Sequence, residues 1–179
     1  MTFIIRTALA ADAHALSELA RKTFRDTYEA FNTAEDMQLH VDRTFTAERQ
    51  LAEISDPGWL TLVAEHDGQL IGFAQGHHGS APPCVSAQNP LPHKAWEILR
   101  FYVHRDWQGR GLAQALMERA GAGAVTAGAD AIWLGVWTRN ERARAFYIKC
   151  GFTSIGEITF ALGDDLQRDF VMYRPVARA

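Results

Sequence analysis

The chain has 179 residues, 47% hydrophobic and 22% charged, a size and balance that suit one globular domain over residues 1–179 and exclude disordered and fibrous classes. Eighteen Lys and Arg against twenty-one Asp and Glu leave a formal charge of -3 with the basic residues scattered, which argues against nucleic acid as a partner. Cys84 and Cys150 form no CxxC pair, Arg6 and Asp12 interrupt the opening apolar run, and no stretch approaches the roughly 18 to 20 apolar residues of a membrane span, so the expectation is a soluble cytoplasmic protein without a membrane or zinc-ribbon role.

In chain order, residues 3–6 read as a short strand. Leu16, Leu19, Ala20, Phe24 and Tyr28 then recur at helical spacing over residues 12–30. Thr33 followed by Asp36 resembles a capping box that starts a second helix, and Thr46 is a suitable N-cap for a third, which Asp56-Pro57-Gly58 ends near residue 54. Residues 59–65 and 70–75 are β-rich runs around His66-Asp67-Gly68-Gln69, where the Asp-Gly pair suits the positive φ angles of a tight hairpin. Between residues 76 and 94 Gly, Ser and Pro dominate, including Pro82, Pro83, Pro90 and Pro92, the composition of a mobile surface loop.

Residues 96–103 are nearly continuous in apolar and aromatic side chains, the pattern of a central strand buried on both faces. A Gly turn and a helix of small residues to about residue 126 follow. Residues 132–137 read as another buried strand, 139–149 as a helix, and 153–160 and 170–173 as two more strands. Alternating helices and strands predict an α/β fold with a mixed central sheet.

The turn Gln108-Gly109-Arg110-Gly111-Leu112-Ala113 lies between a buried strand and a helix start, where backbone N–H groups lack intrahelical partners and aligned peptide dipoles favour an anion. It reads either as a phosphate cradle or as a tight connection. Neither GxxxxGK[ST] nor the GxGxxG spacing is present, which weakens an ATP, GTP or NAD reading. His77-His78 suggests a metal, but adjacent strand residues point to opposite faces and no third ligand stands at useful spacing, so no metal is expected.

Gln108, Gly111 and Ala113 resemble the Gln/Arg-x-x-Gly-x-Gly/Ala signature of the GNAT superfamily of N-acetyltransferases. Asn140 with Phe146-Tyr147-Ile148-Lys149-Cys150-Gly151-Phe152 resembles that superfamily's second signature. The resemblance implies a sheet of about six to seven strands in which a splayed pair holds acetyl-CoA, the co-substrate, beside residues 101–103. It implies that the backbones of Phe101, Tyr102 and Val103 meet pantetheine, that residues 108–113, Gly109, Arg110 and Leu112 included, hold the diphosphate, that Asn140 bonds the pantetheine arm, and that Tyr147 protonates the departing thiolate. Lys149 reaches a phosphate or stays solvated. Asn140 and Tyr147, seven residues apart, also read as a helix cap and a core aromatic.

Glu97 is a carboxylate in an apolar strand, eleven residues before Gln108, a separation similar to that of the catalytic Glu in the histone-modifying branch of the superfamily. It is expected either to take the proton an amine must lose before attack or to pair with a basic neighbour at the strand entrance.

Two further stretches resemble the PaiA-like acetyltransferases, a bacterial group linked to spermidine and spermine: Thr23 to Tyr28 with Asn32 to Asp36, and Phe160 to Asp165 with Gln167, Asp169 and Val171 to Tyr173. A polyamine needs carboxylates and aromatic faces, which Asp26, Tyr28, Glu35, Asp36 and Trp137 would supply unless they cap helices and fill the core. The substrate expected is thus a small-molecule amine, with a polyamine, another small amine or a protein amino group as alternatives, and a homodimer is compatible with the family. A non-catalytic acetyl-CoA-binding regulator is the other class, disfavoured by the retention of Glu97 and Tyr147 and by the lack of a basic recognition helix.

Overall fold

The computed structural model describes residues 2–88, 92, 94–162 and 165–176. Pro90 of the expected surface loop, and Gly163 and Asp164 of the second PaiA-like stretch, lie outside the described residues.

Seven strands form one sheet in the order β1-β2-β3-β4-β5-β7-β6. They are β1 (Ile4–Thr7), β2 (Trp59–His66), β3 (Gln69–His77), β4 (Ala95–Val103), β5 (Ala131–Trp137), β6 (Thr153–Leu162) and β7 (Asp165–Pro175). All neighbours are antiparallel except β4 and β5, whose parallel pairing is confined to Ala95 with Ala131, Trp96 with Ile132, and Glu97 with Trp133. Beyond that point the two strands run on without pairing.

The helices are α1 (Ala13–Tyr28), α2 (Ala34–Thr44), α3 (Ala47–Ser55), α4 (Pro83–Ser86), α5 (Leu112–Thr126) and α6 (Glu141–Lys149). Local chemistry starts several of them. The Thr33 and Thr46 hydroxyls accept from the N–H groups of Asp36 and Arg49, satisfying donors that a helix start leaves free. Asp67 and Gly68 adopt φ of 47° and 76°, the left-handed geometry of a hairpin turn that matches strand twist.

Strand alternation divides the core in two. On one face Leu62, Ala74, Trp96, Ile98, Ile132 and Leu134 pack under α5 and α6. On the other, Val63, Phe73 and Leu162 pack under α1 and α2 through Leu16, Phe24, Met37 and Val41. Each such fully buried aliphatic or aromatic side chain contributes about 1.5–3 kcal/mol.

Three expectations change. The strand over residues 96–103 is not buried on both faces: Leu99 is 42% exposed, because β5 has turned away from that stretch. Residues 83–86 form a helical turn inside the expected loop, started by Pro at a position where its missing N–H costs nothing, and Val85 seals it against Ala131, Trp133 and Tyr173. The last hairpin is longer than its apolar runs, since ladder pairing carries polar residues such as Asp165, Gln167 and Arg168 along with them.

Candidate active site

The parting of β4 and β5 opens a cleft of about 440 Å³. Its walls are Phe101, Tyr102 and Val103 of β4, Gly135 and Val136 of β5, Asn140, Phe146 and Tyr147 at α6, and Thr23, Asp26, Thr27 and Tyr28 of α1. It ends at Gln108, Gly109 and Ala113, the start of α5.

A bulge prepares the parting edge. Gln75 pairs with Arg100 and Gly76 with Ile98, so Leu99 is an extra residue in β4, and such bulges bend a strand and increase its twist. Past the bulge, the His104 N–H bonds the Ile71 carbonyl of β3. Alternation therefore turns the backbone groups of Phe101 and Val103 toward the gap and those of Tyr102 toward β3. Of the three strand residues expected to offer backbone partners, Tyr102 is the exception; it contributes its side chain.

At the helix start, Gly109 and Gly111 sit at φ of 76° and 81°, a left-handed geometry that costs other L-residues about 1–2 kcal/mol. Conformation requires glycine at both, since a β-carbon at either would meet nothing within 4 Å. The first α-helical bond is Ala115 N–H to Gly111 carbonyl, which leaves the earlier N–H groups aimed outward with the positive end of the helix dipole. Leu112 is fully buried against Ala64, Ile71 and Trp107 and anchors the turn, while the Arg110 guanidinium lies 5.9 Å from the Trp107 ring centre. Across the mouth, the Gln108 side chain donates to the Val103 carbonyl at 3.1 Å and accepts from Arg142 at 2.5 Å, tying β4 to α6.

Asn140 does two things. Its side-chain oxygen accepts from the Ala143 N–H and caps α6, and it lines the cleft together with Tyr28. Tyr147 is 7% exposed, with Phe101 and Phe152 ring centres at 6.2 and 6.0 Å, and burial raises its phenol well above the ordinary range. Burial likewise pushes Tyr28 up to about 12. Both phenols are therefore held in the protonated, donating form at neutral pH.

Glu97 does not join them. It lies within the paired part of β4, lines neither this cleft nor its neighbour, and places Oε2 3.6 Å from His77 Nε2. Burial raises its carboxyl to about 7. Lys149 is exposed on the last turn of α6 and does not line the cleft. His77 stacks on Trp59, and the His78 ring nitrogens meet the carbonyls of Ala95 and Ala127. Among the described residues no group of three or more His, Cys, Asp or Glu side chains is placed to hold a metal ion, and no helix is long and apolar enough to cross a membrane.

A second cavity, about 270 Å³, lies on the α1 and α2 side of the sheet and shares Tyr28, Leu99, Tyr102 and Gly135 with the first. Trp137 lines it, 5.7 Å from the Tyr28 ring, so the two aromatics singled out in the sequence do meet. Asp26 instead pairs with Lys22 at 3.0 Å, and Glu35 and Asp36 occupy the first turn of α2 and line neither cavity. Asp169 of β7 entered the sequence reading only as one position of the second PaiA-like stretch, with no role in the site assigned to it. A β-carbon on Gly135 would stand 3.3 Å from Asp169 Oδ2, which places this carboxylate at the wall between the cavities, and burial pushes it up to about 6. In sequence it resembles one more polar alternation in a strand, which gives no sign of where it points.

Comparison with known proteins agrees with this geometry. The model of the acetyltransferase (GNAT) family matches residues 14–152. An uncharacterized N-acetyltransferase of Lactobacillus delbrueckii subsp. lactis is 34% identical over 154 residues, 86% of each chain, and one of Mycobacterium tuberculosis is 32% identical over 163 residues, 91% of this chain and 97% of that protein. Among solved structures, the PaiA N-acetyltransferase of Thermoplasma acidophilum in complex with coenzyme A has a TM-score of 0.79 at 24% identity, covering 98% of this chain and all of that one. The putative acetyltransferase yncA of Salmonella typhimurium, with its cofactor acetyl-CoA, has a TM-score of 0.73 at 22% identity over 98% and 94% of the two chains. A sheet parted beside a glycine-rich helix start, in a sequence with these relatives, belongs to the GNAT family of acetyltransferases, and the protein is an N-acetyltransferase.

Proposed function

We propose that the chain transfers the acetyl group of acetyl-CoA to a small primary amine. The observation that carries this reading is the unpaired edge of β4 and β5 running into the outward-aimed N–H groups of α5. The helix start suits a diphosphate, and the backbone groups of Phe101 and Val103 suit the amides of a pantetheine arm, which needs partners along an extended edge. When bound there, acetyl-CoA supplies a thioester open to attack by nitrogen.

The residues then divide the work. The Val103 N–H polarises the carbonyl as charge develops on its oxygen. Attack forms the carbon–nitrogen bond and breaks the carbon–sulfur bond; Tyr147 gives its phenolic proton to sulfur, and the proton shed by the attacking nitrogen restores the phenol. Asn140 holds the pantetheine arm. Release of free thiol from acetyl-CoA by an amine panel tests the reading. Tyr147→Phe is expected to lower kcat at least tenfold with coenzyme A affinity changed less than twofold, and unchanged turnover would remove Tyr147 from its role.

For the acceptor, the PaiA-like stretches and the fold shared with a PaiA N-acetyltransferase favour a polyamine. The positions of Glu35 and Asp36, which line neither cavity, and the pairing of Asp26 with Lys22 at the wall of the first favour another small amine.

A further inference from the structure

Resting on that reading, we propose that the second cavity receives the acceptor as an aminocarboxylate, with Asp169 taking the ammonium group at the wall between the cavities and Arg49 taking the carboxylate. Three observations support this placement.

The first is the passage. Leu99, the bulge residue, and Gly135 line both cavities, and both are exposed in the sheet where it parts. Glycine at 135 leaves the passage open on the side of the Asp169 carboxylate; a β-carbon there would crowd Oδ2 at 3.3 Å, while meeting Ile158 at an ordinary 3.7 Å contact. An amine held by Asp169 is thus set beside the opening to the thioester cleft, which the proton acceptor for attack requires.

The second is the charge inventory. Asp169 is the one carboxylate among the described residues lining this cavity. The charged and titratable groups that face it there are Tyr28 of α1, His40 of α2, Arg49 of α3, and Arg100 and Tyr102 of β4. Behind them, Glu53 serves both guanidiniums, bonding Arg100 and accepting from Arg49 at 3.0 Å, so that wall carries two cations for one anion. Arg100 is buried and also donates to Gln75, whereas the Arg49 side chain is half exposed and has donors to spare. A polycation gains one partner in such a chamber and meets an excess of like charge; a molecule with an ammonium and a carboxylate meets opposite charges at both ends.

The third is the lining between those walls. Phe24, Tyr28, Phe45, Trp137 and Phe160 give flat apolar faces, and His40 stacks on Phe24 with 4.5 Å between ring centres. Burial lowers the His40 imidazole pKa and so keeps it neutral, and the Arg100 and Arg49 charges act the same way. The body of the substrate is therefore an apolar or aromatic side chain of modest size.

In the proposed step, the Asp169 carboxylate accepts one proton from the ammonium group and later releases it to solvent. The neutral nitrogen attacks the thioester carbon, and sulfur leaves with the Tyr147 proton as described above.

The test uses the full chain and four proteins: wild type, Asp169→Asn, Glu97→Gln and Arg49→Met. Coenzyme A binding to each is measured by titration calorimetry, and thiol release from acetyl-CoA is measured with the twenty common amino acids, phenethylamine, tyramine and spermidine. At least one amino acid is expected to exceed its decarboxylated counterpart and spermidine tenfold in kcat/KM. Asp169→Asn should lose at least a hundredfold in kcat/KM and the acidic limb of the pH profile near 6, with coenzyme A affinity within twofold of wild type, and its loss should exceed that of Glu97→Gln at least tenfold. Arg49→Met should cut the preference for the amino acid at least tenfold through KM. Preference for spermidine, an Arg49→Met variant with the preference intact, or an Asp169→Asn variant within threefold of wild type would overturn the inference. Coenzyme A binding without turnover of any panel amine would overturn it too while leaving the cofactor cleft standing. Absence of coenzyme A binding to wild type would instead sink the function proposed above.

Discussion

Glu97 and Asp169 show how much a single carboxylate depends on which way its strand turns it. Both are half or more buried, and burial raises both, to about 7 and about 6. Asp169 sits at the wall between two cavities, whereas Glu97 lies under Gly79 and beside His77. The raised value of Glu97 has a consequence for stability. Folding penalises its ionised form, so the folded protein binds that proton more tightly than the unfolded chain, and stability falls as pH rises from about 4.5 to about 7. Glutamine stays neutral throughout. Glu97→Gln is therefore expected to raise Tm relative to wild type at pH 8 and to leave it unchanged at pH 4, as thermal unfolding by circular dichroism would show; an equal shift at both pH values would contradict the account. Neither residue's surroundings are visible in sequence, where Glu97 is an anomaly in an apolar run and Asp169 one position of a PaiA-like stretch.

At the scale of elements, what was legible is what is local. Thr33 and Thr46 cap their helices and Asp67-Gly68 turns its hairpin, because each depends on a few consecutive residues, whereas the left-handed angles of Gly109 and Gly111 before α5 come from the structure. The bulge at Leu99 escaped, since it is defined by the partner strand, and with it went the alternation that decides which face of β4 each side chain meets. The same bulged strand is held by Arg100, whose guanidinium is buried with Glu53 and Gln75. Removing the two ends of that pair should not cost the same. Glu53→Gln leaves Arg100 buried without an opposing charge, a loss of about 3–5 kcal/mol, whereas Arg100→Met leaves Glu53 bonded to Arg49 and costs less. For a chain of this size, the first change should lower Tm by roughly 6–20 °C at 2–4 °C per kcal/mol. Equal losses in urea titrations of the two variants would contradict that asymmetry.

For the whole molecule, the sequence pointed to an α/β sheet and left the turn before α5 open between an anion site and a tight connection, and the structure adds two chambers that meet where the parallel pair of strands, the only one among the described residues, comes apart. That division follows from long-range pairing: β4 is held by β3, β5 is held by β7, and nothing after Glu97 and Trp133 holds them to each other. In the proposed arrangement, a thioester carrier in the first chamber and an amine in the second reach a common opening without either lying in the path of the other.

The claim on which all of this stands is that the parted edge and the start of α5 bind coenzyme A. Titration calorimetry of folded wild-type protein with coenzyme A, paired with thermal unfolding, tests it directly. Saturable heat is expected, with Tm raised by about 5–11 °C at a ligand concentration of about 100 times Kd. Gly111→Val, which forces a branched side chain into the left-handed turn, should bind at least tenfold more weakly. No heat and no shift in Tm for wild type with either coenzyme A or acetyl-CoA would contradict the account.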